Sequence, residues 1–203
     1  MNNYEYIIAS LPVLSSDFRG ELDCESILDQ IKEQLSSKDR SRFELLLRGF
    51  DSDSLGRDLY TAALSSADAF IKGYFLYDLC VRNCRVRYLN HRLGRPEDTD
   101  VLNILGEDYE FEDEAKVNDI LAGSDILARE RALDDLMWAE IDELCELQVF
   151  TADVIFAFVA KLHIVARWLK LDAETGKQLF KQLVNEIRNN KKSIDNIDLK
   201  LKI

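Results

Sequence analysis

Between Phe70 and Tyr88 the residues Phe70, Tyr74, Tyr77, Val81, Cys84 and Tyr88 recur at spacings of 4, 3, 4, 3 and 4. That alternation averages 3.5 residues, the period of a helical seam packed against a neighbouring helix. A second stripe, Ile71, Phe75, Leu79, Val86, Leu89 and Leu93, widens the apolar face. A helix apolar over so much of its circumference belongs at the centre of a bundle. The pattern predicts one long helix from Arg57 to Leu93, ended by Gly94 and Pro96. The fold class that follows is all-α: a multi-helix bundle with long central helices, packed as one body or as two sub-bundles.

The flanking sequence repeats the theme. Only two prolines and eight glycines occur in 203 residues, which leaves room for long helices. Ile27, Leu28, Ile31 and Leu35 form one stripe behind Asp23, a suitable N-cap, and predict a helix over 24–35. Phe43, Leu46 and Leu47 predict another over 38–48, stopped by Gly49 and followed by an Asp51-Ser-Asp-Ser loop. The segment Tyr4 to Leu11 is too short for periodicity to separate a strand from a helical turn. Nine acids lie between Glu97 and Glu114, with no base after Arg95 until Lys116. That stretch reads as a solvated, partly flexible connection in which 101–105 can dock as a short turn.

Beyond it, Leu133, Leu136, Met137, Ile141, Leu144 and Leu147 share one side of a helix over 126–148. Thr151 is placed to cap a helix reaching Leu169 and apolar nearly all round. Asp172 is placed to cap a further stretch with Leu179, Phe180, Leu183 and Ile187, before a lysine-rich tail. The organisation expected is an N-terminal helical half (1–96), an acidic connection (97–114), a C-terminal helical half (115–190) and a tail (191–203).

Composition narrows the chemistry. A net charge of −12 argues against nucleic acid as a partner, since phosphate neutralisation needs surplus Lys and Arg. The start of the chain lacks a basic leader region, Pro12 interrupts its apolar stretch, and no run approaches the roughly 20 apolar residues of a membrane span. A cytoplasmic protein with reduced cysteines is the expectation, without direct membrane insertion. Phosphate-binding glycine loops and the Gly-x-Ser-x-Gly elbow do not occur.

Cys80 and Cys84 have a spacing compatible with metal, but a structural zinc needs four ligands and no complementary Cys/His pair is near, so core packing is the better reading. His163 sits on an apolar helix with no adjacent acid and reads as a packed residue rather than a general base. The acids Glu140, Asp142, Glu143 and Glu146 lack the Glu-x-x-His pairs of dimetal bundles and read as a solvated face. No catalytic residue, metal, cofactor or small-molecule substrate is therefore expected.

One run departs from the acidic background. Arg82, Arg85, Arg87, Arg92 and Arg95 follow one another with no acid between Asp78 and Glu97. Two accounts fit: forked arginine hydrogen bonds to an acidic protein partner, or pairing within the chain to the acids that follow.

Three segments carry a family resemblance: Tyr6-Ile-Ile-Ala-Ser-Leu-Pro-Val-Leu, Asn83-Cys-Arg-Val-Arg-Tyr-Leu-Asn-His-Arg-Leu-Gly, and the stretch from Phe150-Thr-Ala-Asp-Val to Ala-Arg167-Trp-Leu. They resemble an uncharacterised bacterial family encoded among the subunits of V-type (A/V-type) ATPases. The central and late segments are more distantly similar to the C subunit of those machines, called d in eukaryotes. That subunit is an all-helical, funnel-shaped socket joining the central stalk to the membrane rotor ring. It has three similar helical bundles, of which this chain has length for two at most.

The resemblance implies a non-catalytic subunit or accessory protein working mechanically, bound to other V-type ATPase subunits and so peripheral at the inner membrane. By the match of motif it points to Asn83, Arg85, Arg92 and Arg167 as partner or structural contacts, alongside Arg82, Arg87 and Arg95 of the run. The alternative is a free-standing helical adaptor or assembly factor that binds an acidic protein partner.

Overall fold

In the computed structural model the long apolar pattern becomes two helices, not one. The structure describes residues 4–106 and 109–171. We number the helices in chain order: α1 Glu5–Ser10, α2 Cys24–Gln34, α3 Ser37–Arg48, α4 Arg57–Leu64, α5 Ala69–Leu93, α6 Glu114–Ala122, α7 Ile126–Cys145 and α8 Ala152–Leu169, with a 3₁₀ turn at Ser52–Ser54. No strand occurs among the described residues, so the fold is all-α.

The break between α4 and α5 has a local cause. The Asp68 carboxylate accepts from the Ile71 N–H at 3.0 Å and the Ser66 hydroxyl accepts from the Asp68 N–H at 3.2 Å. These side chains offer the backbone a cap in place of a continued helix. The reversal lets α4 pack back on α5, with the Tyr60 and Phe75 rings edge to face at 6.1 Å. At the other end Gly94, at φ +65, closes α5 with a Gly94 N–H to His91 bond and an Arg95 N–H to Asn90 bond. Only glycine adopts that left-handed backbone without strain.

α2 and α3 carry the expected signals. Asp23 caps α2 through the Ser26 N–H, and Ser36 caps α3 through the Asp39 N–H. Gly49 ends α3 in right-handed backbone, at φ −66, so left-handed freedom is not its use. Its use is closeness: a Cβ there would lie 2.5 Å from the buried Phe75 ring. Tyr4–Leu11 resolves as the single-turn helix α1, and Asp51-Ser-Asp-Ser as the 3₁₀ turn capped by Asp51.

The helix α6 was not anticipated. Val117, Ile120 and Leu121 have helical spacing, with Val117 and Leu121 buried, but the acids around them hide the signal. α7 stops at Cys145, short of the expected 148, which leaves Leu147 89% exposed beyond its end. α8 begins one residue after Thr151, as expected, and buries eight apolar residues, Ala152 to Val165.

The core is one connected cluster running from Tyr4 and Ile7 to Val159 and Ala160. Each large aliphatic or aromatic side chain removed from water there contributes about 1.5–3 kcal/mol. Phe70, Ile71, Tyr74, Phe75, Tyr77, Leu79 and Cys80 are buried on α5, a face covering well over half its circumference and leaving Lys72 at the surface, the central position the apolar pattern predicts. Its last third differs: Leu89 and Leu93, counted with the apolar stripe in the sequence, are exposed.

The chain divides into two compact units, residues 1–165 and 166–203. In the second, the described residues 166–171 carry hydrogen bonds from the Lys170 N–H to Ala166 and from the Leu171 N–H to Trp168. The expected helix behind Asp172, with Leu179, Phe180, Leu183 and Ile187, and the tail lie outside the described residues. No helix among the described residues is long and apolar enough to cross a membrane.

Candidate functional site

The C-terminal half of α5 sorts its polar side chains into two rows. Asn83, Arg87 and Asn90, spaced 4 and 3, make one ridge of the helix. The Asn83 amide donates to the Leu102 carbonyl and accepts from the Leu102 N–H, both at 3.1 Å. Asn90, buried, donates to the carbonyls of Glu97 at 2.9 Å and Thr99 at 2.7 Å. Arg87 stands 3.7 Å from Asp98, and Arg95 bonds Asp100 at 2.7 Å. Tyr77 holds the far end of the connection, donating to Asp113 at 2.7 Å with its ring edge-on to Phe111. Rather than hanging loose, the described part of the acidic connection is tied to α5 by amides, two ion pairs and a phenol, and its Leu102, Ile104 and Leu105 pack on the core.

The second row is Arg82, Arg85, Leu89 and Arg92, spaced 3, 4 and 3. Arg82 bonds Asp78 at 2.6 Å, and Tyr60 donates to the same carboxylate oxygen at 2.5 Å. Burial, then the charge of Asp78, pushes the Tyr60 phenol well above its usual range. Arg85 reaches across to Glu130 of α7 at 2.9 Å. Arg92 is exposed and has no ion pair among the described residues. Of the two accounts of the arginine run, pairing within the chain therefore describes four of its five members, although only Arg87 and Arg95 use the acids that follow. Arg167, exposed, lies in the last turn of α8 in the second unit.

A cavity of about 80 Å³ lies under the connection, lined by Cys80, Asn83, Cys84, Arg87 and Tyr109 among others. Burial pushes both thiols up to about 11, with Cys84 adding to the shift at Cys80 and Glu114 to that at Cys84. Both stay protonated at neutral pH, so neither is an activated nucleophile. No group of three or more His, Cys, Asp or Glu side chains able to hold a metal occurs among the described residues. His163 stacks on Phe50 with ring centroids 4.1 Å apart. Of the acids read as one solvated face, Asp142 pairs with Lys161, whose ammonium lies 4.8 Å from the Trp138 ring centroid. Glu140 is half-buried instead, its carboxyl raised by burial and then by Glu143 and Asp113.

A buried polar cluster at the other end of α5 was missed in the sequence. Arg42 bridges Asp39 at 3.0 Å and Asp68 at 3.1 Å. Asp39 also accepts from the hydroxyls of Tyr4 at 2.6 Å and Ser36 at 2.8 Å. Asp153, in the first turn of α8, is pushed up to about 6 by burial, then by Asp68, with Arg42 opposing. The Ser36-x-x-Asp39 spacing is the one local trace of this arrangement, and it signals a helix cap only.

Residues 1–56 and 51–191 match the model of a family described as a protein of unknown function, DUF2764. The chain belongs to that family. No curated protein and no solved structure matches it. Family membership covers both rows of α5 and the buried cluster alike, and it assigns a role to none of these residues.

Proposed function

We propose that this chain is a non-catalytic subunit or accessory protein of a bacterial V-type ATPase, similar in role to the C (d) socket between central stalk and rotor ring. The observation that carries the reading is the organisation of α5. Its N-terminal half buries a broad apolar face, Phe70 to Val81, with Lys72 left at the surface. Its C-terminal half holds a side-chain lattice from Asn83 to Asn90, continued by Arg95 past the helix end, that ties down the neighbouring connection and α7. Such a body presents a defined outer surface and transmits force through packed helices. Three sequence segments that resemble the ATPase-linked family supply the link to that machine. The chain then sits peripherally at the inner membrane through the complex.

The test is affinity isolation of the intact rotary complex through a tagged catalytic subunit, followed by mass spectrometry. Recovery of this chain in fixed proportion supports the role. A complex isolated whole and without it sinks the role.

A second reading is a free-standing adaptor for an acidic protein partner. It is favoured by Arg92, the member of the arginine run left without an ion pair among the described residues. Reversal of Arg92 alone then weakens partner binding more than reversal of Arg95, which already has Asp100.

A further inference from the structure

Four aliphatic side chains stand uncovered where α5 ends and α7 begins: Leu89 at 55%, Leu93 at 68%, Ile126 at 65% and Leu127 at 61% exposure. The register of the two helices brings them to one place. A Cβ on Gly73 would meet Leu144, and Arg85 pairs with Glu130, so α5 and α7 run antiparallel. Leu89 and Leu93 lie one and two turns beyond Arg85. Ile126 and Leu127 lie one turn before Glu130. Packed helices have axes about 8–10 Å apart, within the combined reach of two such side chains. Arg92 stands one turn beyond Leu89 on the same row of α5 and flanks Leu93.

We propose that this end of the bundle is a docking surface for an amphipathic helix of another protein, whose apolar side chains cover Leu89, Leu93, Ile126 and Leu127 and whose carboxylate pairs with Arg92. The inference rests on the reading that the chain works through protein contacts, and adds where and with what chemistry. Charge selects the occupant. A two-fold pairing of identical copies about this patch brings Arg92 towards its own counterpart, an unfavourable contact. An acidic helix meets both the cation and the apolar ridge.

The experiment uses the full chain and a cross-linked three-turn helical peptide with leucines at i, i+3, i+4 and i+7 flanked by glutamates, read by fluorescence anisotropy. A lysine-flanked counterpart is the control. The glutamate helix binds saturably, and at least about tenfold more tightly than the lysine helix. L89E and I126E each weaken it about tenfold or more, and R92E roughly threefold. L147E, which alters an exposed leucine in the turn after α7, leaves it unchanged. All four positions are exposed, so the variants fold, as circular dichroism verifies. Absence of binding, equal binding of the two helices, or indifference to L89E, I126E and R92E overturns the surface. A wild-type dimer in sedimentation that L89E dissociates also overturns it, by making a second copy the occupant. Failure to recover the chain with the rotary complex removes the ATPase reading and leaves these outcomes as they stand.

Discussion

The hydroxyl of Tyr4 donates at 2.6 Å to the buried carboxylate of Asp39, 35 residues along the chain. The same oxygen accepts from the Ser36 N–H at 3.2 Å, and the Tyr4 N–H bonds the Phe150 carbonyl at 3.0 Å. One residue ahead of α1 thus ties together the start of α3 and the turn before α8. Tyr4→Phe keeps the ring and removes the donor. A hydrogen bond to a charged group contributes about 1.5–3 kcal/mol, and urea unfolding should show a loss of that order. Unchanged stability would mean that the Ser36 hydroxyl and Arg42 satisfy Asp39 without it.

Asp153 sets an unusual pH dependence. Its folded pKa, about 6, lies above the ordinary carboxyl value of 3.8, because burial and Asp68 disfavour its charge. The folded state therefore holds the proton more tightly than the unfolded chain. Stability from this group is complete below about pH 3.8 and declines as pH rises through 6. Carboxylates held down by partners, such as Asp113 beside Lys116 and Tyr77, oppose it in acid. Asp153 titrates within about pH 5–7, and because the raised Glu140 carboxyl adds a fall of the same sign, the difference between wild type and the Asp153 variant is what reads Asp153. Asp153→Asn should flatten the fall in urea midpoint across that window and raise stability at its upper end relative to wild type. A parallel curve would place the titration elsewhere.

Asn90 anchors the acidic connection by its side chain. Asn90→Ala deletes the two bonds to Glu97 and Thr99 without touching the apolar core. Local opening free energies depend on such ties. Hydrogen exchange at backbone amides of 97–102 should accelerate about tenfold or more, with α5 amides before Asn83 unaffected. Exchange unchanged in both regions would show that Leu102 and its neighbours hold the connection by packing alone.

Two glycines make a paired test of crowding. At Gly49 an added methyl meets the ring of buried Phe75, which has nowhere to move. Gly49→Ala should cost about 1–3 kcal/mol in chemical unfolding, the range for overpacking. At Gly73 it meets the end of the Leu144 side chain, which is half-buried and can rotate. Helix propensity favours alanine there by about 1 kcal/mol, so Gly73→Ala should be near neutral. The reverse order would assign the tighter contact to α5 and α7.

Much of the fold is legible along the chain because helical period and capping are local properties. Asp23 announces α2, the 3.5-residue seam announces α5, and Gly94 announces its end. The arginine run could be seen but not sorted. Arg87 differs from Arg85 and Arg92 only in azimuth round one helix, and azimuth has meaning only once neighbours are placed, while Arg95 lies just past the helix end. α6 hid for a related reason: two buried positions in nine residues are a weak period against so many acids.

By itself, then, the sequence determined that this chain folds into helices around an apolar α5, since side-chain spacing and caps act within a few residues. Only the tertiary structure decided that α4 and α5 separate at Asp68, that Arg42 and three aspartates gather from α3, the α5 cap and α8, and that four aliphatics remain uncovered beside Arg92. Those outcomes depend on which helix faces which, a matter of long-range packing that no local spacing encodes.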